Sequence, residues 1–400
     1  MRILVLADIR FPLERANGVQ TIETCHALAR RGHDVRLVVR PDTFRPPRDP
    51  LTYYGLPPVA SLRIEAPSLP ATPAWRRPAY LLRIVRRSAT AAEADVIVTR
   101  DLTIARVLLA LRAVVRVPVV YESHGYAPVV SAEMPSLVST ATAPTRTKLA
   151  RLARRERYVW RHAAGYVTIT EGLRLELESR FGPRSSVAVV PDGARVPANA
   201  TVAREMSTPP VVGYAGHLYP WKGLDVFLLA LARLEAIRGL VIGGLAGEPD
   251  LDRVRTMAEK LAPGRVTFAG AVPPGEVAPL LRAADVLMLP NPATRISSSY
   301  TSPLKLFEYM ASGRPIVASD LPALREVLRD GQNALLVEPG NPSRFADAIL
   351  RIVRDAALAR RLASAALAEV TNFTWDRRAD RLERLFSPLA RRGAVGGSRS

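Results

Sequence analysis

Short apolar runs alternate with helical segments along the chain, and this alternation restricts the fold more than any other feature. The run Ile3–Ala7 is followed by a loop, by a segment with helical spacing at Val19–Arg31, and by a second apolar run at Asp34–Val39. Gly32 lies where the helix should end. A strand, a helix and a strand in this order are the building block of a parallel, doubly wound sheet.

The same alternation begins again after a polar, proline-containing connection at 197–210. Because 400 residues are too many for one ordinary core, we predict two α/β domains, at 1–200 and 201–375. Two such sheets facing each other would create a cleft between the carboxyl ends of their strands. A basic amphipathic helix at 376–390 is expected to pack back towards the first domain, with a flexible tail at 391–400.

Apolar runs predict the other strands of the two sheets, and the proline-rich interval 41–80 is predicted to be loop with one short strand. The further strands are predicted at Asp95–Thr99, Val117–Tyr121, Gly165–Ile169, Val211–Tyr214, Leu240–Ile242, Val266–Ala269, Val286–Leu289 and Ile316–Ala318.

The charge of the chain is strongly positive and unevenly distributed. The formal net charge is +19, and residues 1–200 hold 30 Lys and Arg against 17 Asp and Glu. Such a surface suits anionic lipid, a phosphorylated acceptor or nucleic acid, but the sequence carries no nucleic-acid-binding module. The segment 145–165 places seven basic residues around a narrow apolar stripe. It is either a helix that lies on an anionic membrane or one that covers the first sheet with its charged side in solvent.

The sequence also bears on the cellular compartment. No apolar run approaches the ~20 residues that span a bilayer, and the apolar run at the N-terminus is too short for a signal peptide. Cys25 is the one cysteine, so an intramolecular disulfide cannot form. We therefore expect a cytoplasmic protein, peripheral to the inner face of the membrane if the basic first domain meets anionic lipid.

Residues 297–320, SSSYTSPLKLFEYMASGRPIVASD, combine a polar loop with the start of a helix. Ser302 suits an N-cap, Pro303 the first helical position and Gly313 the helix end. The free N–H groups and the dipole of such a helix start attract anions. Glu308 lies one turn further among apolar side chains, where hydroxyls of a ligand could satisfy it. The stretch is either a site for phosphate beside a polyol, as in a nucleotide sugar, or a core helix whose glutamate reaches solvent.

Polar side chains and glycines follow other predicted strands. In VVGYAGHLYPWKGLD, Lys222 precedes a helix and can hold a phosphate, with His217 as a second donor on the same loop. In VVYESHGYAP, His124 directly follows a strand and can act as acid or base or donate to a sugar hydroxyl. Gly18 and Gly243 follow strands where a ligand could approach the backbone. Ordinary surface loops and turns are the alternative for each of these residues.

Two patterns argue against other kinds of chemistry. The spaced triple glycine of a dinucleotide site is missing, which disfavours a nicotinamide dehydrogenase. Asp250 and Asp252 begin a helix, where acidic side chains favour the dipole, and the sequence has no His, Cys and acid cluster with metal-ligand spacing. We therefore expect neither a metal nor another cofactor.

Taken together, these motifs resemble those of family 4 glycosyltransferases, which have the GT-B architecture of two Rossmann-like domains. The resemblance runs from NGVQTIETCHALARRGHDV and VVPDGARV to YAGHLYPWKGLD, VTFAGAVPPGEVAPLLRAADVLMLP and SPLKLFEYMASGRPIVASD. It implies transfer of a sugar from a nucleotide-diphosphate sugar to an acceptor hydroxyl, without metal and with retention of the anomeric configuration. The donor would bind the second domain and the acceptor the first, in the synthesis of cell-surface glycan or glycolipid.

The resemblance implies roles for individual residues. Glu308 matches the glutamate that takes the ribose hydroxyls, and Lys222 matches the lysine that holds the phosphates. His124 matches the histidine near the transferred sugar, and Gly18 the glycine beside the phosphates. Further donor contacts, through backbone or side chain, are implied for Ser302, Leu304 and Lys305.

The sequence departs from the family pattern at two positions. His217 stands where many members have arginine, and a neutral histidine stabilises a departing phosphate less than a guanidinium does. Tyr300 stands where the family's first glutamate meets the transferred sugar. Two alternatives on the same fold therefore stay open: a nucleotide-sugar-binding protein with impaired catalysis, and a sugar-nucleotide epimerase. A phosphorylase would need a cofactor-anchoring lysine motif that the sequence lacks. The base, the sugar and the acceptor are left undetermined.

Overall fold

The computed structural model describes residues 1–396 apart from 45, 71, 91–93, 138–141 and 203–204. The chain divides into two compact units. The first unit comprises Met1–Ser131, Pro144–Pro191 and the C-terminal segment from Trp375, and the second comprises Ala132–Ala143 and Asp192–Thr374.

The first unit is built on a seven-stranded sheet in which all neighbouring strands are parallel. Its strands are β1 (Arg2–Arg10), β2 (Asp34–Arg40), β3 (Leu62–Glu65), β4 (Val96–Thr99), β5 (Val119–Ser123), β6 (Gly165–Thr168) and β7 (Val187–Val189). The helices between them are α1 (Ala16–Arg30), α2 (Pro50–Tyr54), α3 (Pro73–Thr90), α4 (Leu102–Ala110), α5 (Ala127–Leu137), α6 (Arg146–His162) and α7 (Glu171–Phe181). The order β3-β2-β1-β4-β5-β6-β7 reverses between β1 and β4, and ligands of such sheets bind where the loops diverge at that point.

The second unit is built on a six-stranded parallel sheet with the order β10-β9-β8-β11-β12-β13. Its strands are β8 (Val211–Ala215), β9 (Arg238–Ile242), β10 (Val266–Gly270), β11 (Val286–Leu289), β12 (Ile316–Ser319) and β13 (Leu335–Val337). Its helices are α8 (Leu224–Leu231), α9 (Pro249–Leu261), α10 (Pro274–Ala283), α11 (Leu304–Ala311), α12 (Pro322–Arg325), α13 (Pro342–Arg354) and α14 (Ala356–Glu369). Here the strand order reverses between β8 and β11, so the loops after these two strands frame the expected ligand site.

Apolar side chains cover both faces of the second sheet. One core contains Phe227 of α8 and Ile349 of α13, and the other contains Leu281 of α10 and Phe307 of α11. Because both faces are covered, β11 and β12 are buried along their whole length and are continuous apolar runs in the sequence. The two predicted α/β domains with parallel sheets are therefore confirmed.

The chain ends in helix α15 (Trp375–Gly396), which belongs to the first unit and packs against α1. It continues six residues beyond the predicted end at 390, and the last residues of the predicted tail, 397–400, lie outside the described residues. In the part of the chain that the structure describes, no helix combines the length and the apolar character needed to cross a bilayer.

The interval 41–80 is more regular than predicted. It contains β3, the expected short strand, but also α2 and the first half of α3. Helix α2 forms because the Asp49 side chain caps it, accepting from the Thr52 N–H at 2.7 Å, with Pro50 at the first position. In α3, Tyr80 and Ile84 are buried although Pro78 lies within the helix, so the proline content concealed an amphipathic helix.

The longer segment of the second unit starts at Asp192, nine residues before the domain boundary predicted at 201. Ala194 forms an isolated parallel bridge with Thr374, and a Cβ on Gly193 would lie 2.9 Å from the Phe373 carbonyl oxygen. The residues just before the predicted connection at 197–210 are therefore packed against the end of the second unit.

Candidate active site

The loops that follow β8 and β9 touch through their backbones. The Gly216 N–H donates to the Ile242 carbonyl at 2.8 Å, and Gly216 has a φ of +133°. Gly243 has a φ of +131°, and a Cβ there would lie 2.0 Å from the Gly216 carbonyl oxygen. Glycine is thus required at 243 because the two loops approach closely. Gly243 therefore lies beside the loop after β8, which is the candidate donor loop.

The junction of β8 and α8 is fixed against the end of β11. Gly223, between Lys222 and α8, has a φ of +81°, and a Cβ there would lie 1.8 Å from the Pro290 carbonyl oxygen. Lys222 ends a short 3₁₀ turn, Pro220–Lys222. The lysine is therefore held where the strand order of the second sheet reverses.

Two lysines lie at the loop after β8: Lys222 belongs to the loop itself, and Lys305 reaches it from α11. Lys222 Nζ lies 3.6 Å from the centroid of the Trp221 ring, and burial lowers the pKa of Lys222 to about 8. Lys305, in the first turn of α11, extends to the β8 loop, where its Nζ would lie 3.4 Å from a Cβ on Gly216. It also lies 4.2 Å from the centroid of the Tyr214 ring. Burial and the charge of Lys222 hold the pKa of Lys305 well below its ordinary value, against the opposing effect of Glu308.

Aromatic rings line the β8 loop, and of these only His217 was predicted from the sequence as a site residue. The ring of His217 is nearly parallel to that of Tyr219, with centroids 5.2 Å apart, and Tyr219 is nearly parallel to Trp221 at 6.3 Å. The Tyr214 hydroxyl donates to the His217 carbonyl at 2.8 Å. The alternation of aromatic residues in HLYPW is the sequence pattern from which these stacked rings could have been predicted.

The helix that carries Glu308 begins later than predicted. Pro303 is the N-cap and Leu304 the first helical residue, so the predicted N-cap role of Ser302 is wrong. The Ser302 hydroxyl instead accepts from the Asp192 N–H at 3.1 Å. Glu308 is half-buried, and its charge raises the pKa of Lys305. The acid therefore has a cation one turn away, and this interaction between two predicted site residues was not itself predicted.

Tyr300 is 1% exposed at the end of a π-helical turn, Ile296–Tyr300. In this conformation its side chain is part of the packing, and its predicted contact with the donor stays a prediction. Leu304, in contrast, is half-buried.

In the first unit, His124 belongs to a buried polar network. Its Nε2 lies 2.7 Å from Glu122 Oε1, and Arg378 of α15 donates to both oxygens of Glu122 at 2.7 Å. Gln20, near the start of α1, also donates to Glu122, and Arg100, after β4, donates to Gln20 at 2.8 Å. Neither Glu122 nor Arg378 was among the site residues predicted from the sequence.

The protonation of this network follows from its surroundings. Burial alone would raise the pKa of the Glu122 carboxyl, but Arg378 and His124 hold it well below its ordinary value. Burial and Arg100 lower the pKa of His124 to about 4, against the effect of Glu122. His124 is therefore neutral near pH 7, with its Nε2 proton on the carboxylate side and a lone pair on Nδ1.

Gly18 lies in the first turn of α1. A Cβ there would lie 2.3 Å from the Tyr54 hydroxyl oxygen and 2.4 Å from the Leu13 carbonyl oxygen. Glycine at this position lets the loop after β1 pack closely. Gly18 and His124 belong to the first unit, and the other candidates belong to the second. There Gly243 and Lys305 lie against Gly216, the residue before His217, and the charges of Lys222 and Glu308 act on Lys305. Among the described residues, no group of three His, Cys, Asp or Glu side chains could hold a metal ion.

Comparison with known families covers both units. Residues 17–193 match the model described as "Glycosyl transferase 4-like domain", and residues 209–355 match "Glycosyl transferases group 1". The chain belongs to the family 4 glycosyltransferases. It is 30% identical to the D-inositol 3-phosphate glycosyltransferase of Nocardia farcinica, over 68% of this chain and 61% of the relative. It is also 30% identical to the phosphatidyl-myo-inositol mannosyltransferase of Mycobacterium leprae, over 51% of this chain and 55% of the relative. The chain thus spans little more than half the length of these curated relatives.

Solved structures show the fold of this family 4 glycosyltransferase. The HepE protein of Anabaena, solved with UDP, superposes with a TM-score of 0.71 at 20% identity, over 97% of this chain and 100% of that one. The sucrose-phosphate synthase of Thermosynechococcus elongatus superposes with a TM-score of 0.75 at 20% identity over the whole of both chains. The predicted GT-B fold is confirmed.

Proposed function

We propose that the chain transfers a sugar from a nucleotide-diphosphate sugar to an acceptor hydroxyl, with retention of configuration. The observation that carries the proposal is the convergence of Lys222 and the first turn of α11 on the glycine loop after β8. A helix start and buried ammonium groups suit a diphosphate. The names of the two relatives support the same reaction class, and the UDP and UDP-glucose complexes of HepE support a nucleotide-sugar donor.

The second unit holds the donor in this proposal. Lys222, with His217 on the same loop, stabilises the negative charge that develops on the diphosphate as the bond to the sugar breaks. Backbone N–H groups at the start of α11, near Ser302 and Leu304, add to that stabilisation. Glu308 accepts hydrogen bonds from the ribose hydroxyls.

The first unit holds the acceptor and contacts the transferred sugar. Because His124 is neutral and Glu122 fixes its ring, its Nδ1 accepts a hydrogen bond from a sugar hydroxyl. Glu122 orients the imidazole without touching the substrate. We place the product in cell-surface glycan or glycolipid synthesis, since the named relatives include a transferase to phosphatidyl-myo-inositol.

Two substitutions should separate binding from transfer. Glu308→Gln should weaken nucleoside diphosphate binding by about 1–3 kcal/mol, the scale of a lost charged hydrogen bond. His124→Ala should leave that binding unchanged and slow sugar transfer about 10–100-fold, because only the contact to the transferred sugar is lost. Calorimetry with UDP, GDP and ADP measures the first effect, and product formation from their sugars measures the second.

Matched controls use glutamate and histidine residues on the surface. Glu259 on α9 and His162 on α6 are exposed in the structure. Glu259→Gln and His162→Ala should therefore change neither nucleoside diphosphate binding nor the rate of sugar transfer. Binding without transfer to any acceptor would favour the nucleotide-sugar-binding alternative, and conversion of the donor without an acceptor would favour an epimerase. If Glu308→Gln and the parent protein bind the nucleoside diphosphate equally well, Glu308 does not contact the ribose.

We also propose that the first unit meets the inner face of the membrane as a peripheral protein. On α6 the residues Arg146, Lys148, Arg151, Arg154, Arg157 and Arg161 are exposed, and its one acid, Glu156, is fully buried. On α3, Trp75 is 66% and Leu82 51% exposed beside arginines. Basic side chains with exposed apolar groups suit an anionic interface.

Vesicle sedimentation tests this placement. The chain should bind phosphatidylglycerol vesicles and not phosphatidylcholine vesicles. Replacing Arg151 and Arg154 with glutamine should weaken binding about thirtyfold, because each basic residue near the surface contributes about 1 kcal/mol. The same change at Lys260 and Arg255 of α9 is the control. Equal binding to both kinds of vesicle would contradict an electrostatic association.

A further inference from the structure

The ammonium group of Lys305 is buried without a hydrogen-bond partner. Its Nζ is closed off from solvent and, among the described residues, meets no donor or acceptor at hydrogen-bond distance. The indole N–H of Trp221, on the ring that Lys222 covers, is also buried and unsatisfied within the described chain. Removing a cation from water without a partner costs several kcal/mol, so such a group indicates a site that a ligand completes.

The position of Lys305 indicates the kind of ligand. It lies in the first turn of α11, over the Tyr214 ring, with its Nζ against Gly216. Lys222 is near enough for its charge to act on Lys305. Two ammonium groups and a helix N-terminus at one glycine loop form a site for an anion of more than one negative charge.

The inference rests on the proposed donor site. We propose that Lys305 is a second ammonium ligand of the donor diphosphate, and that the Lys222–Lys305 pair takes up a proton from solvent when the diphosphate binds. The ammonium group of Lys305 thereby interacts with the negative charge of the diphosphate from the side of α11, in addition to the ammonium group of Lys222. The proton comes from buffer, and no covalent bond changes in this step.

The charges and burial around the two lysines determine that protons are taken up, and not released, when the diphosphate binds. In the free protein the pKa of Lys222 is about 8, and that of Lys305 is well below its ordinary value because of burial and Lys222, so the pair lacks part of its positive charge at mildly alkaline pH. Glu308 opposes this only partly. Tyr214 and Tyr309, whose pKa values burial raises, stay neutral. The His217 ring lies on the same loop, stacked on the ring of Tyr219.

A bound diphosphate favours the charged lysines and so raises both pKa values. The complex therefore holds more protons than the free protein, and binding weakens as the pH rises above about 8. For one proton the dissociation constant increases up to tenfold per pH unit, until the pH reaches the pKa of the bound form.

Calorimetry on the unmodified protein tests the proton uptake. UDP, GDP and ADP are titrated at pH 8.5 in Hepes and in Tris, whose ionisation enthalpies differ, and each is paired with its nucleoside. The nucleoside diphosphate that binds should show net proton uptake, and its nucleoside should show essentially none. Zero uptake by the diphosphate would overturn the proposal.

Substitutions test the residue itself. Lys305→Met should weaken diphosphate binding about 10–100-fold and leave nucleoside binding within twofold, whereas Lys305→Arg should keep most of the affinity. Lys260→Met on the exposed side of α9 is the control. Equal loss for diphosphate and nucleoside would mean that Lys305 only packs against Tyr214, which overturns the proposal. If none of the three diphosphates binds the parent protein, the proposed function itself fails; if one binds and Lys305→Met is unchanged, only this inference fails.

Discussion

Replacing Arg378 with methionine is expected to lower the free energy of unfolding of the first unit by about 3–5 kcal/mol. Removing one partner of a buried ion pair leaves the other charge uncompensated, and Glu122 would be that charge. Arg378 is 1% exposed and donates to both Glu122 oxygens at 2.7 Å. It also donates to the Val190 and Pro191 carbonyls at 2.7 and 2.9 Å, so it joins α15 to the chain that follows β7.

The measurement is hydrogen exchange followed by mass spectrometry, because two units need not unfold together. Arg31→Met is the matched control: this side chain also contacts α15, at Glu383 Oε2 2.6 Å away, but it is 33% exposed and should cost at most about 1 kcal/mol. Adding Glu122→Gln to Arg378→Met should recover part of the loss, since the uncompensated charge is then removed. A loss no larger than that of Arg31→Met would contradict the structural role of the buried pair.

The sheets were predictable from the sequence because their strands are buried on both faces. A parallel strand of this kind is a continuous apolar run, and β11 was predicted to the residue at Val286–Leu289. Helix α3 was missed for the opposite reason. Most of its arginines are exposed and its prolines suggest a loop, so only its packing through Tyr80 and Ile84 reveals a helix.

The candidate site was predictable where one short motif carries it. Lys305 and Glu308 lie in the same helix start, and the SPLKLFE stretch indicated both. Glu122 and Arg378 are separated by 256 residues, and only the return of α15 to the first unit brings them together. Tyr300 has the spacing of the family's first glutamate, but a π-helical turn buries it, and spacing alone does not predict such a turn.

The second large effect is expected from Gly223→Ala, which should lower the free energy of unfolding of the second unit by about 3–5 kcal/mol. An alanine at a φ of +81° pays about 1–2 kcal/mol for the left-handed backbone. Its Cβ would also lie 1.8 Å from the Pro290 carbonyl oxygen, and a backbone atom cannot rotate away as a side chain can. Hydrogen exchange in β8 and β11 measures the loss.

Gly247→Ala separates the two contributions, because Gly247 has a φ of +83° with nothing within 4 Å of a Cβ. It should cost only the backbone part, about 1–2 kcal/mol. Because Gly223 follows Lys222 directly, Gly223→Ala should also weaken nucleoside diphosphate binding, whereas Gly247→Ala should not. Equal losses of stability in the two variants would mean that the β8 junction moves freely against Pro290, and Lys222 would then not be held at the point where the strand order reverses.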